Sequence, residues 1–194
     1  MPKVRSMNLL SLDARWRRFN DPDFTSQIDG RQFSGVFDLG YDAPDAWPFG
    51  PRLDGGAPVL DAGEDRLSAE LCRLGENRYL HAVLPIPVRG SDEVFFFAPW
   101  VQVAPSDFYA YLDSLDQDAP PFAGCEGLIA NLLPGFEDED IACRLVPGGP
   151  GERPVAQAQT DPLAAAQAEG ISFDALLDLY AAAGDDIRPH LANG

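Results

Sequence analysis

From Arg78 to Val88 the apolar residues Leu80, Ala82, Leu84, Ile86 and Val88 fall on one face of an extended chain, while Tyr79, His81, Pro85 and Pro87 fall on the other. A two-residue period of this kind predicts a strand with one packed face. Arg89-Gly90-Ser91-Asp92 turns the chain, and Val94 to Val103 follows, apolar on both faces as a strand in a sheet interior should be. Pro99 interrupts that second strand. It has no N–H to give to a ladder, so a bulge or an unpaired edge is expected there. Upstream, Glu70 to Leu74 reads as a strand joined through Gly75-Glu76-Asn77, and consecutive strands with such short turns make an antiparallel meander.

The period changes outside this centre. Residues 6–19 place Leu9, Leu12, Trp16 and Phe19 at helical spacing, which predicts a short amphipathic helix docking its apolar stripe on the body. Between Phe24 and Leu39, two short alternating segments flank Asp29-Gly30, a hairpin signal. Residues 40–63, rich in Pro and Gly, read as one long irregular connection. Asp107 to Leu115 reads as a helix with Phe108, Tyr111, Leu112 and Leu115 on one side. Strands are then expected at Glu126 to Leu133, Ile141 to Val146 and Val155 to Gln159. Two helices close the chain, one opened by Asp161-Pro162 and ended by Gly170, the other capped by Ser172 and running from Phe173 to Ala183. The fold expected is α+β: a central antiparallel sheet, a meander, with helices at the N-terminus, after the central strands and at the C-terminus.

Charge divides the chain. Lys3, Arg5, Arg15, Arg17 and Arg18 against Asp13 give the first twenty residues +4 and leave −21 for the rest of a chain whose net charge is −17. We therefore read residues 1–20 as a basic amphipathic helix and 21–194 as one acidic domain, large enough for its own core. An acidic body repels phosphate backbones and anionic lipid, so neither nucleic acid nor membrane is expected as a partner; a basic protein is. The N-terminal apolar stretch is broken by Asp13 and too short for a signal peptide. Cys72, Cys125 and Cys143 are odd in number and far apart, without a Cys-x-x-Cys pair, and so read as small buried hydrophobes in a reducing, cytoplasmic compartment.

No motif for nucleophilic catalysis is present. His81 and His190 are the only histidines; His81 lies on a strand, as a hydrogen-bonded structural residue would, and His190 in a tail expected to fray. Gly148-Gly149-Pro150-Gly151 is not followed by Lys-Ser/Thr and is no phosphate cradle. Glu137-Asp138-Glu139-Asp140 lacks the alternation and the central glycine of a calcium loop. No catalytic residue, metal ligand or cofactor is assigned. Candidate binding residues are the aromatics of the Pro-rich stretch, Tyr41, Trp47 and Phe49, and the acidic run Glu137, Asp138, Glu139 and Asp140.

One ordered set of short motifs goes further. Ala43-Pro44-Asp45-Ala46-Trp47, the Pro85 to Val103 strand pair with Trp100-Val101, Leu133-Pro134-Gly135-Phe136, and Thr160-Asp161-Pro162-Leu163 continued by Gln167, Gly170 and Ile171 occur in this sequence. In that order they resemble the uncharacterised bacterial family catalogued as domain of unknown function 2199, over about residues 24–183. The resemblance implies a Cys-x-x-Cys-Gly-x-x-His knuckle near the start, with the look of part of a metal site. Here the matching stretch is Ser26 to Phe33, so both cysteines and the histidine are replaced and no zinc role carries over. The histidine that the family places between Asp and Pro is absent too, because Asp161 runs directly into Pro162. Three readings follow: an immunity- or antitoxin-like neutraliser of a basic protein, a small-molecule binder or enzyme using a cleft beside residues 40–63, and a regulator acting through the N-terminal helix.

Overall fold

The structure is a computed structural model that describes residues 9–50, 59–116, 118–137 and 140–192. Its strands are β1 (Leu39–Gly40), β2 (Val59–Ala62), β3 (Asp65–Ser68), β4 (Leu71–Leu74), β5 (Asn77–His81), β6 (Leu84–Pro87), β7 (Val94–Ala98), β8 (Trp100–Val103), β9 (Cys125–Ile129), β10 (Ala142–Val146) and β11 (Val155–Ala158). Eight of them form one antiparallel sheet in the order β11-β10-β9-β8-β5-β4-β3-β2. The other three form a smaller sheet, β1-β7-β6, in which β1 is parallel to β7. The helices are α1 (Ala14–Phe19), α2 (Pro105–Asp113), α3 (Leu163–Glu169), α4 (Phe173–Ala182) and α5 (Arg188–Ala192). The α+β fold with a large antiparallel sheet and helices at both ends and mid-chain is as expected.

The two long strands read from the sequence each divide between the sheets. Pro87 faces Val94, Leu84 faces Phe97, His81 faces Trp100 and Arg78 faces Val103, so one hairpin keeps a single register through both ladders. The ladders part at Pro99. Ala82 N–H still donates to Pro99 O at 2.9 Å, but proline cannot return the bond. Pro85 and Pro87 direct their missing donors away from β7; their carbonyls accept from Gln167 Nε2 and from Ile171 N–H instead. β11 then comes back to the hairpin, with Ala156 N–H on Val83 O at 2.8 Å and Val83 N–H on Pro154 O at 3.0 Å, so the sheet curls round.

Leu80, Ala82, Leu84, Ile86 and Val88 are all buried in the main core, as their period predicts. The opposite face departs from expectation: Tyr79 and His81 are buried as well, because Trp47, Leu67, Cys72 and Trp100 form a second cluster on that side. α4 closes the main core. Ser172 Oγ accepts from Ala175 N–H at 3.1 Å, and Phe173, Leu176, Leu177 and Tyr180 recur at helical spacing and are buried. Each such side chain contributes about 1.5–3 kcal/mol by leaving water. Gly170 ends α3 at φ +75°, and a Cβ there would lie 2.7 Å from Pro87 O, so the chain passes too close to β6 for any side chain.

Several expectations are corrected. The N-terminal helix is broken at Asp13: residues Leu9–Leu12 form a 3-10 turn, and Asp13 caps α1 by accepting from Arg15 N–H at 2.8 Å. Trp16 and Phe19 enter the core, yet Leu9 and Leu12 are 59% and 78% exposed; Leu10 packs inward instead. The Asp29-Gly30 hairpin reduces to a turn with one bridge, Thr25 to Gln32. The connection at 40–63 contains β2, while residues 51–58 lie outside the described part. Leu112 and Leu115 are exposed, so α2 packs through Phe108. The tail is helical: Leu191 is buried, and Arg18 Nη1 donates to its carbonyl at 2.5 Å.

Candidate functional site

The aromatics of the Pro-rich stretch serve packing. Trp47 is buried in the second cluster, where its Nε1 donates to Gly50 O at 3.1 Å. Tyr41 donates to Leu132 O at 3.1 Å and accepts, through its backbone carbonyl, from Trp100 Nε1 at 3.0 Å. Burial raises the Tyr41 phenol, with Asp45 adding to it, so the hydroxyl stays protonated. Phe49 alone of the three is exposed, edge-on to Trp47 with ring centroids 5.1 Å apart. The stretch is anchored by Asn131, whose Oδ1 accepts from Trp100 N–H at 2.8 Å while its Nδ2 donates to Ala43 O and Asp45 Oδ1 at 2.9 and 2.8 Å.

Of the acidic run, Asp138 and Glu139 lie outside the described residues. Glu137 is exposed and accepts from Gly135 N–H at 3.0 Å, and Asp140 is exposed. Among the described residues no group of three or more His, Cys, Asp or Glu side chains is placed to hold a metal ion.

The reactive side chains are spent elsewhere. Burial pushes the thiols of Cys72 and Cys143 up to about 12 and that of Cys125 up to about 11, so all three are protonated and unreactive near neutrality. The His81 ring stacks on Trp100 at 4.5 Å, with Nδ1 2.8 Å from Ala69 O and Nε2 3.0 Å from Ala98 O. Burial pulls its pKa down against the opposing pull of the two carbonyls. The neutral ring has one N–H, so it donates to one of these carbonyls and only faces the other, and with main chain against both nitrogens it leaves no open position for a substrate.

One grouping imitates a triad. Ser26 Oγ lies 3.0 Å and Asp29 Oδ1 3.5 Å from His190, which the sequence placed in a frayed tail. Both approach the same nitrogen, Nδ1, whereas a proton relay needs the nucleophile and the orienting carboxylate on opposite ring nitrogens. The cluster ties α5 to the turn at residues 26–33, where the resemblance puts the replaced knuckle.

A site that sequence reading missed is an open groove of about 520 Å³, lined by Glu76, Asn77, Gln102, Glu126, Leu128 and Gln159 among others. Glu76 comes from the turn before β5 and Glu126 from β9; the pairing of β5 with β8 and β8 with β9 brings them to one groove, fifty residues apart in the chain. Gln159 Nε2 donates to Glu126 Oε2 at 2.9 Å and Arg144 bridges to Oε1 at 3.0 Å, both at the exposed rim. No local motif marks such a groove. Carboxylates and amides over an apolar floor suit a cationic side chain.

Fold and site together describe an α+β protein with a curled antiparallel sheet. The chain belongs to the family described as an uncharacterized protein conserved in bacteria, DUF2199, whose sequence model matches residues 27–171. No curated protein and no solved structure matches the chain. The motif residues carry architecture: Asp45 meets Asn131; Leu133 and Phe136 form a bridge around Gly135; and Gln167 accepts from Ala158 N–H while donating to Pro85 O and Ala156 O.

Proposed function

We propose that this protein is a non-catalytic binding protein of a reducing, cytoplasmic compartment whose acidic body takes a basic protein partner. The groove of Glu76 and Glu126 carries the reading, since it presents the Glu76 carboxylate, the acceptor sites that Glu126 keeps open beside its exposed contacts with Arg144 and Gln159, and three side-chain amides to an incoming guanidinium or ammonium. The surrounding charge supports it. All the described carboxylates are at least partly exposed, and the arginines that pair with them do so within the chain, as Arg15 with Asp174 and Arg188 with Asp178. The acid excess therefore faces solvent, where it accelerates and orients the approach of a positive surface. The three buried, unpaired cysteines support the compartment, and among the described residues no helix is long and apolar enough to cross a membrane.

The test is calorimetric titration of an Arg-Gly repeat peptide into the full chain. Saturable binding is expected at about 20 mM salt, weakened about tenfold or more near 200 mM, as screening requires. The double variant Glu76→Gln, Glu126→Gln should weaken binding by a similar factor; equal affinity for wild type and variant would remove the groove from the reading.

A further inference from the structure

Arg66, Arg73 and Arg78 stand seven and five positions apart in the sequence but share one row across the sheet, because Arg66 faces Arg73 on β4 and Arg73 faces Arg78 on β5. Like charges directly opposite one another in a sheet repel and destabilise it. Arg66 reaches Asp61 only at 3.6 Å, with both side chains exposed; among the described residues neither Arg73 nor Arg78 has a carboxylate within ion-pair distance. The row begins at Asp61 on β2, which faces Arg66, so its three arginines and one carboxylate leave it net positive by two in a chain of net charge −17.

α2 lies over this row without covering it. Phe108 is buried, but Leu112 is 40% exposed and Tyr109 turns outward, leaving a cleft of about 320 Å³ lined by Arg66, Leu71, Arg73, Phe108, Tyr109 and Leu112. Arg78 does not line the cleft but contacts Tyr109, which does: its guanidinium carbon is 5.8 Å from the Tyr109 ring centroid, its Nη2 is 3.5 Å from the Tyr109 hydroxyl, and its buried Nε has no hydrogen-bond partner. Its Nη1 donates to Gly75 O and Asn77 O at 2.8 and 2.9 Å, which fixes the group in place. The Tyr109 hydroxyl is drawn below its ordinary pKa, first by its hydrogen bond to Arg78 and further by Arg73, as a locally positive field requires.

We propose that Arg66, Arg73 and Tyr109 bind the phosphate group of a small phosphomonoester whose apolar body lies against Leu71, Phe108 and Leu112, with Arg78 holding Tyr109 in position. Guanidinium forks match the non-bridging oxygens of phosphate, and a dianion offsets more of a three-arginine row than a monocarboxylate does. The apolar walls give the rest of the ligand a place to leave water. This cleft shares no lining residue with the Glu76 groove and does not depend on the proposed function.

Phenyl phosphate, inorganic phosphate and benzoate, titrated into the full chain at about pH 7.5 and low salt, test the proposal, since a phosphomonoester is chiefly dianionic above its second pKa near 6. Phenyl phosphate should saturate one site, with inorganic phosphate and benzoate each about tenfold weaker or more. Arg73→Gln should weaken phenyl phosphate about tenfold and Tyr109→Phe several-fold, while Arg17→Gln, on the exposed side of α1, should leave it unchanged. Thermal melting of the same variants without ligand gives a second reading: relief of like-charge repulsion should make Arg73→Gln melt at or above wild type. No saturable binding of phenyl phosphate, benzoate binding as tightly as the phosphate ester, or wild-type affinity in folded Arg73→Gln would each overturn the site.

Discussion

Two sets of arginines in this protein are held in opposite ways. Arg31 meets Asp185 through two hydrogen bonds of 2.6 Å and lies over the Phe33 ring at 4.9 Å; Arg153 meets Glu70 through bonds of 2.6 and 3.0 Å. Each is a fork matched to a carboxylate, and each fastens a connecting segment to the body. Arg66, Arg73 and Arg78 are instead lined up by strand pairing, each with another arginine beside it, and only Arg66 at the end of the row also faces a carboxylate, Asp61. The first arrangement settles its charge within the chain. The second leaves it for something outside, and the contrast separates arginines that maintain the fold from arginines that the fold maintains.

The largest difference should come from the paired set. Replacing Arg31 by Ala removes a bidentate pair and a ring contact, and should lower stability to urea by about 1 kcal/mol. Its acid dependence is specific. The Arg31 hydrogen bonds hold the Asp185 carboxyl below its ordinary 3.8, so the pair's contribution is fully present above that value and disappears as pH falls through the lower folded-state value. The gap between wild type and Arg31→Ala, followed by urea titration from pH 7 downward, should narrow there and nowhere above, to what the Phe33 contact alone contributes; a gap that does not narrow in acid would mean that packing, not charge, fastens the segment.

A smaller effect of opposite sign is expected from the row. Arg73→Gln should stabilise the ligand-free protein by about 0.2–1 kcal/mol, and added salt should shrink that gain by screening the repulsion it relieves. A loss of stability in Arg73→Gln would abolish the distinction drawn above. The smallest effect belongs to Arg144, whose ion pair with Glu126 is exposed on both sides. Arg144→Gln should change stability by less than about 0.5 kcal/mol in the same urea titration; a larger loss would show that surface pairing here counts for more than its exposure implies.

How much of this was legible in the sequence depends on the range over which each feature is determined. The alternation of Leu80, Ala82, Leu84, Ile86 and Val88, the interruption at Pro99 and the Ser172 cap are set by neighbours a few residues away, and they appear where expected. The burial of Tyr79 and His81 was not legible, because what covers them comes from Trp47 and Leu67 in other segments. The tail is expected to fray from its own residues alone, because its anchor lies far off in sequence: Leu191 is buried and His190 meets Ser26, some 164 residues away. Asp13 was read as one acid among basic neighbours, and its capping bond shows that it starts a new helix. That Tyr41 and Trp47 are held by the core while Phe49 is exposed was not legible either, since a packed aromatic and an exposed one look alike in sequence. Both charged clefts were missed for one reason. Glu76 with Glu126, and Arg66 with Arg73 and Arg78, become neighbours only through strand register, which no local pattern states.

The hairpin that runs through both sheets has a consequence in time as well as in space. Its turn is short, and its residues pair at sequence separations from seven, Pro87 with Val94, to twenty-five, Arg78 with Val103, so its loop-closure entropy is small and it can zip without waiting for the rest of the chain. The contacts that complete the fold, Val83 with Val155 and α1 with α5, join residues about seventy or more apart and are slower to find. Because one strand pair already belongs to both sheets, its early closure would set the register of each in a single event, leaving the helices at both termini to dock last.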